Sequence, residues 1–520
     1  MKYRFLALLS IFCLSIGAQD LSSTMTVTAG TSMIIKSGTA LDASELNLKS
    51  TSDHFATVLD ETGSISSGTV VNYDRYVNVV GTGAGGGNDL ISLPVKATGA
   101  TFGDFLDYNT DGTATTANSE YMANSGTIYA FGPYSNVQKA YINYNAATDL
   151  AVSLERAVGY RAATNSGQTL RFTGTISTDT ETVSITTVDD YKWNSVGNPY
   201  PTYIDSQAFL TANESNLDPA STAIYAYNNG AGSGPGTIGD FTIINYLTNT
   251  TLNIAPGQGF LLANAGTTAH DISFTTAMRL YSGSDDFIAG RNENTQQMLR
   301  LKAEHANADF ATEIYFNNFS TQGLDPGYDA KLFGESSLGF SLYSHLVEDN
   351  EGASMAIQSL ETLSEEVAIP LGLKVAEGEQ VTFSIENSTL SSDIEVYLED
   401  NLTNTFTLLN DGNYTFVANT AISGTGRFYL RFGNVTLSQI DNDINSLNLY
   451  TANQKIFVKG QLFEATQVSV YDSLGRIVIV SSLETGSNTN EIDATQLSTG
   501  IYIVKLTNGK QKLTQKVILK

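Results

Sequence analysis

Apolar residues in this chain recur at every second position over short runs, and most runs stop at Gly, Asn, Asp or Ser. "LRFTGTI", "ETVSITTV", "QVTFSIE" and "GIYIVKL" are examples. A two-residue repeat sends successive side chains to opposite faces of an extended backbone, so each run buries one face and wets the other. It does not serve an amphipathic helix, whose apolar positions recur every three to four residues. Composition points the same way. Charged residues make up only 15% of the 520, against roughly 25% in soluble proteins generally, too few to clothe long helices. Thr, Ser, Asn and 45 glycines stand in their place, beside 26 Tyr and 24 Phe. That is the vocabulary of twisted sheets with polar turns. The expected class is all-β, and the length implies several domains.

The runs fall into groups. Residues 19–71 carry a short-strand repeat ("MTVTAG", "MIIKSGTALDA", "LNLKST") that reads as a few turns of β-solenoid or as a meander. A solenoid needs several turns to bury a core, so this piece is expected to lean on the next domain. Residues 72–285 read as an antiparallel β-sandwich with short helices at "FGDFLDY" and at "IDSQAFLTAN", the latter capped by Asp205 or Ser206. The polar stretch "GSDDFIAGRNENTQQ" marks a boundary, and residues 298–433 form a second sandwich. "GNVTLSQIDNDINS" is a linker, and residues 446–520 form a last, compact sheet domain with few contacts to give its neighbour.

Residues 1–18 have the form of a secretory signal: basic Lys2 and Arg4, an apolar run from Phe5 to Ile16, and a small-residue exit at Gly17-Ala18. The only cysteine, Cys13, lies inside it. The mature chain is therefore expected to carry no disulfide, thiol nucleophile or Cys-based metal site. No later apolar run is long enough for a transmembrane helix. A net charge of −26 argues against nucleic acid, whose phosphates call for clustered Lys and Arg, and against anionic lipid.

Chemistry-bearing motifs are few. Gly81, Gly83 and Gly86 fit G-x-G-x-x-G, but "NDLISLP" comes next instead of a helix, so a hairpin loop is expected. Asp107, Asn109 and Asp111 have the alternation of a calcium loop. The twelfth position, however, is Asn118 where such a loop uses a bidentate Glu. Trp193, the only tryptophan, is expected in the core, with Gly197 and Asn198 taking up unusual φ in the turn after it. The competing idea is a sugar-stacking platform of Trp193, Tyr200 and Tyr203. His54, His270, His305 and His345 are not spaced as metal ligands, and "GESSLG" is not a nucleophile elbow. Glu399 and Asp400 are expected to be solvated acids at a strand end. No catalytic, cofactor-binding or metal-ligating residue is assigned, and a binding or structural role is expected over an enzymatic one. The alternative is a polysaccharide-binding or polysaccharide-degrading protein.

The ending departs from the rest. From Ala494 to Lys520 there is no acid, and five lysines are present: Lys505, Lys510, Lys512, Lys516 and Lys520. Residues 446–520 hold eight basic and five acidic residues, a net +3. With +2 on residues 1–18, the stretch between carries −31 of the chain's −26 total. Along "KLTQKVILK", Leu513, Val517 and Leu519 fall on one face and Lys512, Lys516 and Lys520 on the other. Asn508-Gly509 favours the hairpin turn before it.

The motifs "VSVYDSLGRIV", "IDATQLSTGIYIVKL" and the terminal "KLTQKVILK" resemble the C-terminal sorting domain of the type IX secretion system of one group of Gram-negative bacteria, type A-like. The usual Tyr-Pro-Asn-Pro opening is replaced here by "LNLYTANQKIFVKG". That resemblance implies an Ig-like tail and export by the type IX machinery through residues 446–520, via the periplasm to the outer surface or the medium. "WNSVGNPYP", "GQGF" and the run from "LDPGYDA" to "RFYLRF" resemble large flavobacterial-type surface proteins described as adhesin-like. This implies a surface ligand, a glycan or a matrix protein, without naming it.

Overall fold

The computed structural model describes residues 23–81, 88–107, 117–228, 237–283, 296–306, 308–334, 338–363, 367–433, 447–452, 454–459, 462, 465–483, 489–508 and 511–519. The fold is all-β, and the described residues form three short α-helices and many short sheets around one large one.

The N-terminal strands form a parallel stack. They are β1 (Thr24–Val27), β2 (Ser32–Lys36), β3 (Ala40–Leu41), β4 (Glu45–Lys49), β5 (Thr57–Glu61), β6 (Ser64–Ile65) and β7 (Val70–Val77). β1 pairs with β4 and β4 with β7, β2 with β5, and β3 with β6, all in parallel. The chain thus returns above itself on each turn, so the solenoid alternative is the observed one. One turn separates Asn47 from the Asn72 that stacks on it, a step of 25 residues, and Asn72 Nδ2 donates to Asn47 Oδ1 at 3.0 Å. Such a ladder satisfies buried amides that each rung alone would leave unpaired. The stack ends where β7 pairs antiparallel with Gln168–Gly174, which covers an edge that would otherwise invite aggregation. Leu46, Leu48, Val71 and Tyr73 share a core with Phe102, Phe105, Phe131 and Phe172, so the solenoid leans on the neighbouring sheets, as a short stack must.

Both expected helices form. Phe102–Leu106 starts at Thr101, whose side chain and that of Asp104 cap each other's backbone amides. Ser206–Asn213 starts at Asp205, whose carboxylate accepts from the amides of Gln207 and Ala208.

The next sheet has five strands, in the order Trp193–Gly197, Gly259–Ala263, Ile224–Tyr227, Phe241–Ile244 and Thr237–Ile238. Strand alternation divides its side chains between two cores. Ile224, Ala226, Phe260 and Leu262 pack on Phe209 and Leu210 of the helix. Tyr225, Leu261 and Trp193 face the other way, into a core shared with residues 297–432.

Those residues build an eleven-stranded sheet. Its two edge strands, Thr405–Leu408 and Tyr414–Val417, are neighbours in sequence, so the sheet curls back on itself around Leu299, Leu301, Ile314, Leu371, Phe383 and Phe428. Its motif "LDPGYDA" is a clamp to the preceding sheet. Gly327, at φ +79°, lies against the Tyr246 ring where a Cβ would come within 2.4 Å, and the Tyr246 amide donates to its carbonyl at 2.8 Å. Asp329 is buried and accepts from the Ser359 amide, the Ser359 hydroxyl and the Asp325 amide. The shared core and the clamp join the five-stranded sheet to the curled one.

Candidate functional site

Trp193 is only 8% exposed and is held edge-on between Tyr225 and Phe333, at centroid distances of 4.7 and 4.8 Å. Tyr200 and Tyr203 are buried as well, so no sugar-stacking platform exists there. The turn after Trp193 works by a route other than the one expected. Neither Gly197 nor Asn198 has positive φ. Gly197 is needed because a Cβ would meet Ser92 Cβ at 2.5 Å and the Gln258 carbonyl at 2.8 Å. Asn198 is fully buried, donates to the carbonyls of Thr202, Ile254 and Ala255, and accepts from the Tyr200 amide. Gly257 and Gly259 of "GQGF" likewise admit Pro94 and the backbone of Leu90 and Ile91. These motifs are packing devices.

Glu399 and Asp400 correct the expectation of solvated acids: they are 3% and 1% exposed. Asp400 accepts from Arg427 Nε at 3.0 Å and Nη2 at 2.7 Å, and from the Tyr414 hydroxyl at 2.6 Å. Glu399 takes Arg431 Nε at 2.5 Å. The arginines lie on the neighbouring strand Ile422–Phe432, one to two residues from the positions directly opposite the acids (Phe428 for Asp400, Tyr429 for Glu399), and 27 to 32 residues away in sequence. The four histidines are apart from one another: His54 beside Asp53, His270 on Asn264, His305 near Glu379, and His345 buried. Among the described residues no group of three or more His, Cys, Asp or Glu is arranged to hold a metal ion. Asp107 ends the first helix, while Asn109, Asp111, Gly83, Gly86, Cys13, the middle of "GESSLG" and the whole signal segment lie outside the described residues.

The tail forms two sheets over its own core of Leu449, Ile456, Val458, Val468, Val470, Val504, Leu506 and Val517. One sheet joins Asn448–Ala452, Lys455–Lys459 and Thr489–Asp493. The other runs Ile477–Leu483, Thr466–Tyr471, Gly500–Asn508 and Gln511–Leu519. The motif "YDSLGR" makes the turn in the second. Asp472 accepts from the amides of Leu474 and Arg476 and from Arg476 Nε, and Gly475 takes φ +78°. The Arg476 amide and guanidinium hold the Asp472 carboxyl below the usual carboxylate range. In "LSTGIY", the Tyr502 hydroxyl donates to the Ser498 carbonyl at 2.8 Å, which fixes the start of the strand.

Period-two alternation then composes an outer face on the four-stranded sheet. Tyr502, Val504 and Leu506 point in, while Ile501, Ile503, Lys505 and Thr507 point out. Register sets Ile501 against Ile518, Ile503 against Lys516, and Thr507 against Lys512. Tyr471 lies between Ile503 and Ile477. One end of the face is therefore aliphatic, with Ile477 55%, Ile501 52% and Ile518 47% exposed, and the other end is lysine-rich. Exposed contiguous apolar residues rimmed by charge mark an interaction surface.

The opposite sheet meets the passenger, which the linker alone would not have foretold. Gly352, at φ +88°, lets the Tyr450 ring sit where a Cβ would be 2.6 Å away. Lys459 Nζ lies 3.5 Å from His345 Nε2. Burial, and then the Lys459 charge, push the His345 imidazole well below its ordinary 6.5. The unfolded chain binds a proton there below 6.5 and the folded chain does not. Stability is therefore unaffected above that pH and falls beneath it, by up to about 1.4 kcal/mol per unit. We predict that His345→Gln flattens the acid limb of a plot of Tm against pH; an unchanged limb would assign it to other groups.

Residues 15–432 match the family described as Domain of unknown function (DUF8693), most of the chain. The chain belongs to that family. Behind the DUF8693 region, residues 451–520 match the Secretion system C-terminal sorting domain. The tail motifs and this match make the DUF8693 protein a substrate of the type IX secretion system, exported to the cell surface or secreted. No match was found among curated proteins. No helix among the described residues is long and apolar enough to cross a membrane.

Proposed function

We propose that the protein is an adhesive or structural component of the outer surface, delivered there behind a cleaved signal peptide (residues 1–18). Its sorting domain (residues 446–520) presents the aliphatic and lysine-bearing sheet face to the secretion machinery. One observation carries the passenger's part of this reading. The residues that stand out in sequence, Trp193, Asn198, Gly257, Gly327, Glu399 and Asp400, are all committed to internal packing or ion pairs. That investment suits a rigid scaffold offering its outside to a glycan or a matrix protein. The test is an array of glycans and matrix proteins probed with the purified passenger (residues 19–445). Selective, saturable binding is expected, and a passenger that binds nothing but cleaves a polysaccharide would refute the adhesive role.

A polar cleft gives the alternative its own observation. About 580 Å³ lies beside the hairpin of Gln297–His305 and Ala308–Phe316, lined by Glu304, Asp309, Glu379 and His305. It would receive a sugar, and Glu379→Gln should abolish any polysaccharide cleavage housed there.

A further inference from the structure

A second cavity, of about 130 Å³, lies where the five-stranded sheet meets the curled one. Four of its walls are aromatic: Tyr225, Phe241, Phe310 and Phe333. Three of these rings are fixed by edge contacts. Trp193 touches Tyr225 and Phe333, and Phe333 touches Phe241, all at 4.7 to 4.8 Å. The Tyr225 hydroxyl is directed away, donating to the Lys331 carbonyl at 2.7 Å. Gly239, at φ +58°, borders the space, and a Cβ there would stand 3.2 Å from the Phe310 ring. Among the described lining residues Asp240 is the one carboxylate, and it is exposed at the rim.

Size and chemistry select the occupant. An apolar cavity of about 150 Å³ stays dry and takes up benzene, so this one admits a single ring and excludes an oligosaccharide. Aromatic walls favour an aromatic guest through edge-to-face contacts. A carboxylate at the rim favours a guest with a hydrogen-bond donor at one end. We propose that the cavity binds a monocyclic phenol, its ring among the four aromatic walls and its hydroxyl donating to the Asp240 carboxylate. This stands independently of the export reading and of the cleft beside Glu379.

The probe is p-cresol added to the full chain, with binding read by saturation-transfer NMR and by the emission of Trp193, the sole tryptophan, which touches two of the walls. Saturable binding is expected, with toluene weaker. Asp240→Asn at the exposed rim should raise the Kd for p-cresol about ten-fold, the scale of a hydrogen bond to a charged group, and leave toluene unchanged. Competition by N-acetyltyrosinamide would assign the site to tyrosyl side chains of a partner, and binding of p-cresol alone to free phenols. Absence of saturable p-cresol binding, or equal affinity in the Asp240→Asn chain, overturns the proposal.

Discussion

Removing residues 446–520 is expected to leave the passenger folded and to stop its export. The four passenger cores contain no residue from the tail, and the tail's core contains none from the passenger. The two meet through limited contacts, Tyr450 on Gly352 and Lys459 beside His345. Losing them exposes His345 to water, a modest change for a protein with this much independent core. Delivery should respond quite differently. Without a sorting domain the truncated chain should accumulate in the periplasm, with surface and medium falling to background in a fractionation assay. Truncated protein reaching the surface at the full-length level would reduce the tail to one more packed domain.

Within the passenger, Asp400→Ala should destabilise by about 3–5 kcal/mol, because it strands the Arg427 guanidinium in a buried site. Arg427 is 8% exposed and lies over Phe416 and Phe428 at 4.3 and 4.6 Å. The carboxylate removed is the one that accepts from its Nε and Nη2. Replacing both members, Asp400→Leu with Arg427→Met, should recover most of the loss, since apolar residues of similar volume leave no charge unpaired. Denaturant melts of the three variants check this. An Asp400→Ala loss under about 1 kcal/mol would place the pair with exposed, weakly stabilising ones.

The strands are legible in the sequence because period-two alternation is local, and the alternate residues of "GIYIVKL" and "QVTFSIE" do point inward. Helix starts are legible at Thr101 and Asp205 because a cap is spelled within four residues. The recurrence of short strands before Val71 allows a solenoid, and parallel pairing at a 25-residue step decides it against a meander. Long-range partners are not legible. Nothing beside "YLEDNLTN" announces that Arg427 and Arg431 of the neighbouring strand will reach its acids, so a local rule about turn formers makes them wet. Gly197 stands out in sequence for its freedom of φ, whereas its use is the close approach of Ser92, about a hundred residues earlier in the chain. In the tail, alternation alone separates Lys512 and Lys516 from Leu513, Val517 and Leu519. Only the pairing of four strands brings Ile477, Ile501 and Ile518 onto the same face as those lysines.

The role of the tail as an export address is tested by transplanting it. Residues 434–520, the linker and the tail, would be fused behind a signal-bearing reporter with no route of its own across the outer membrane. Digestion of intact cells by an added protease would then be measured in the native host and in a strain lacking the type IX machinery. A reporter that is cleaved or released in the first strain and protected in the second is expected. A reporter protected in both strains would show that the tail carries no export address.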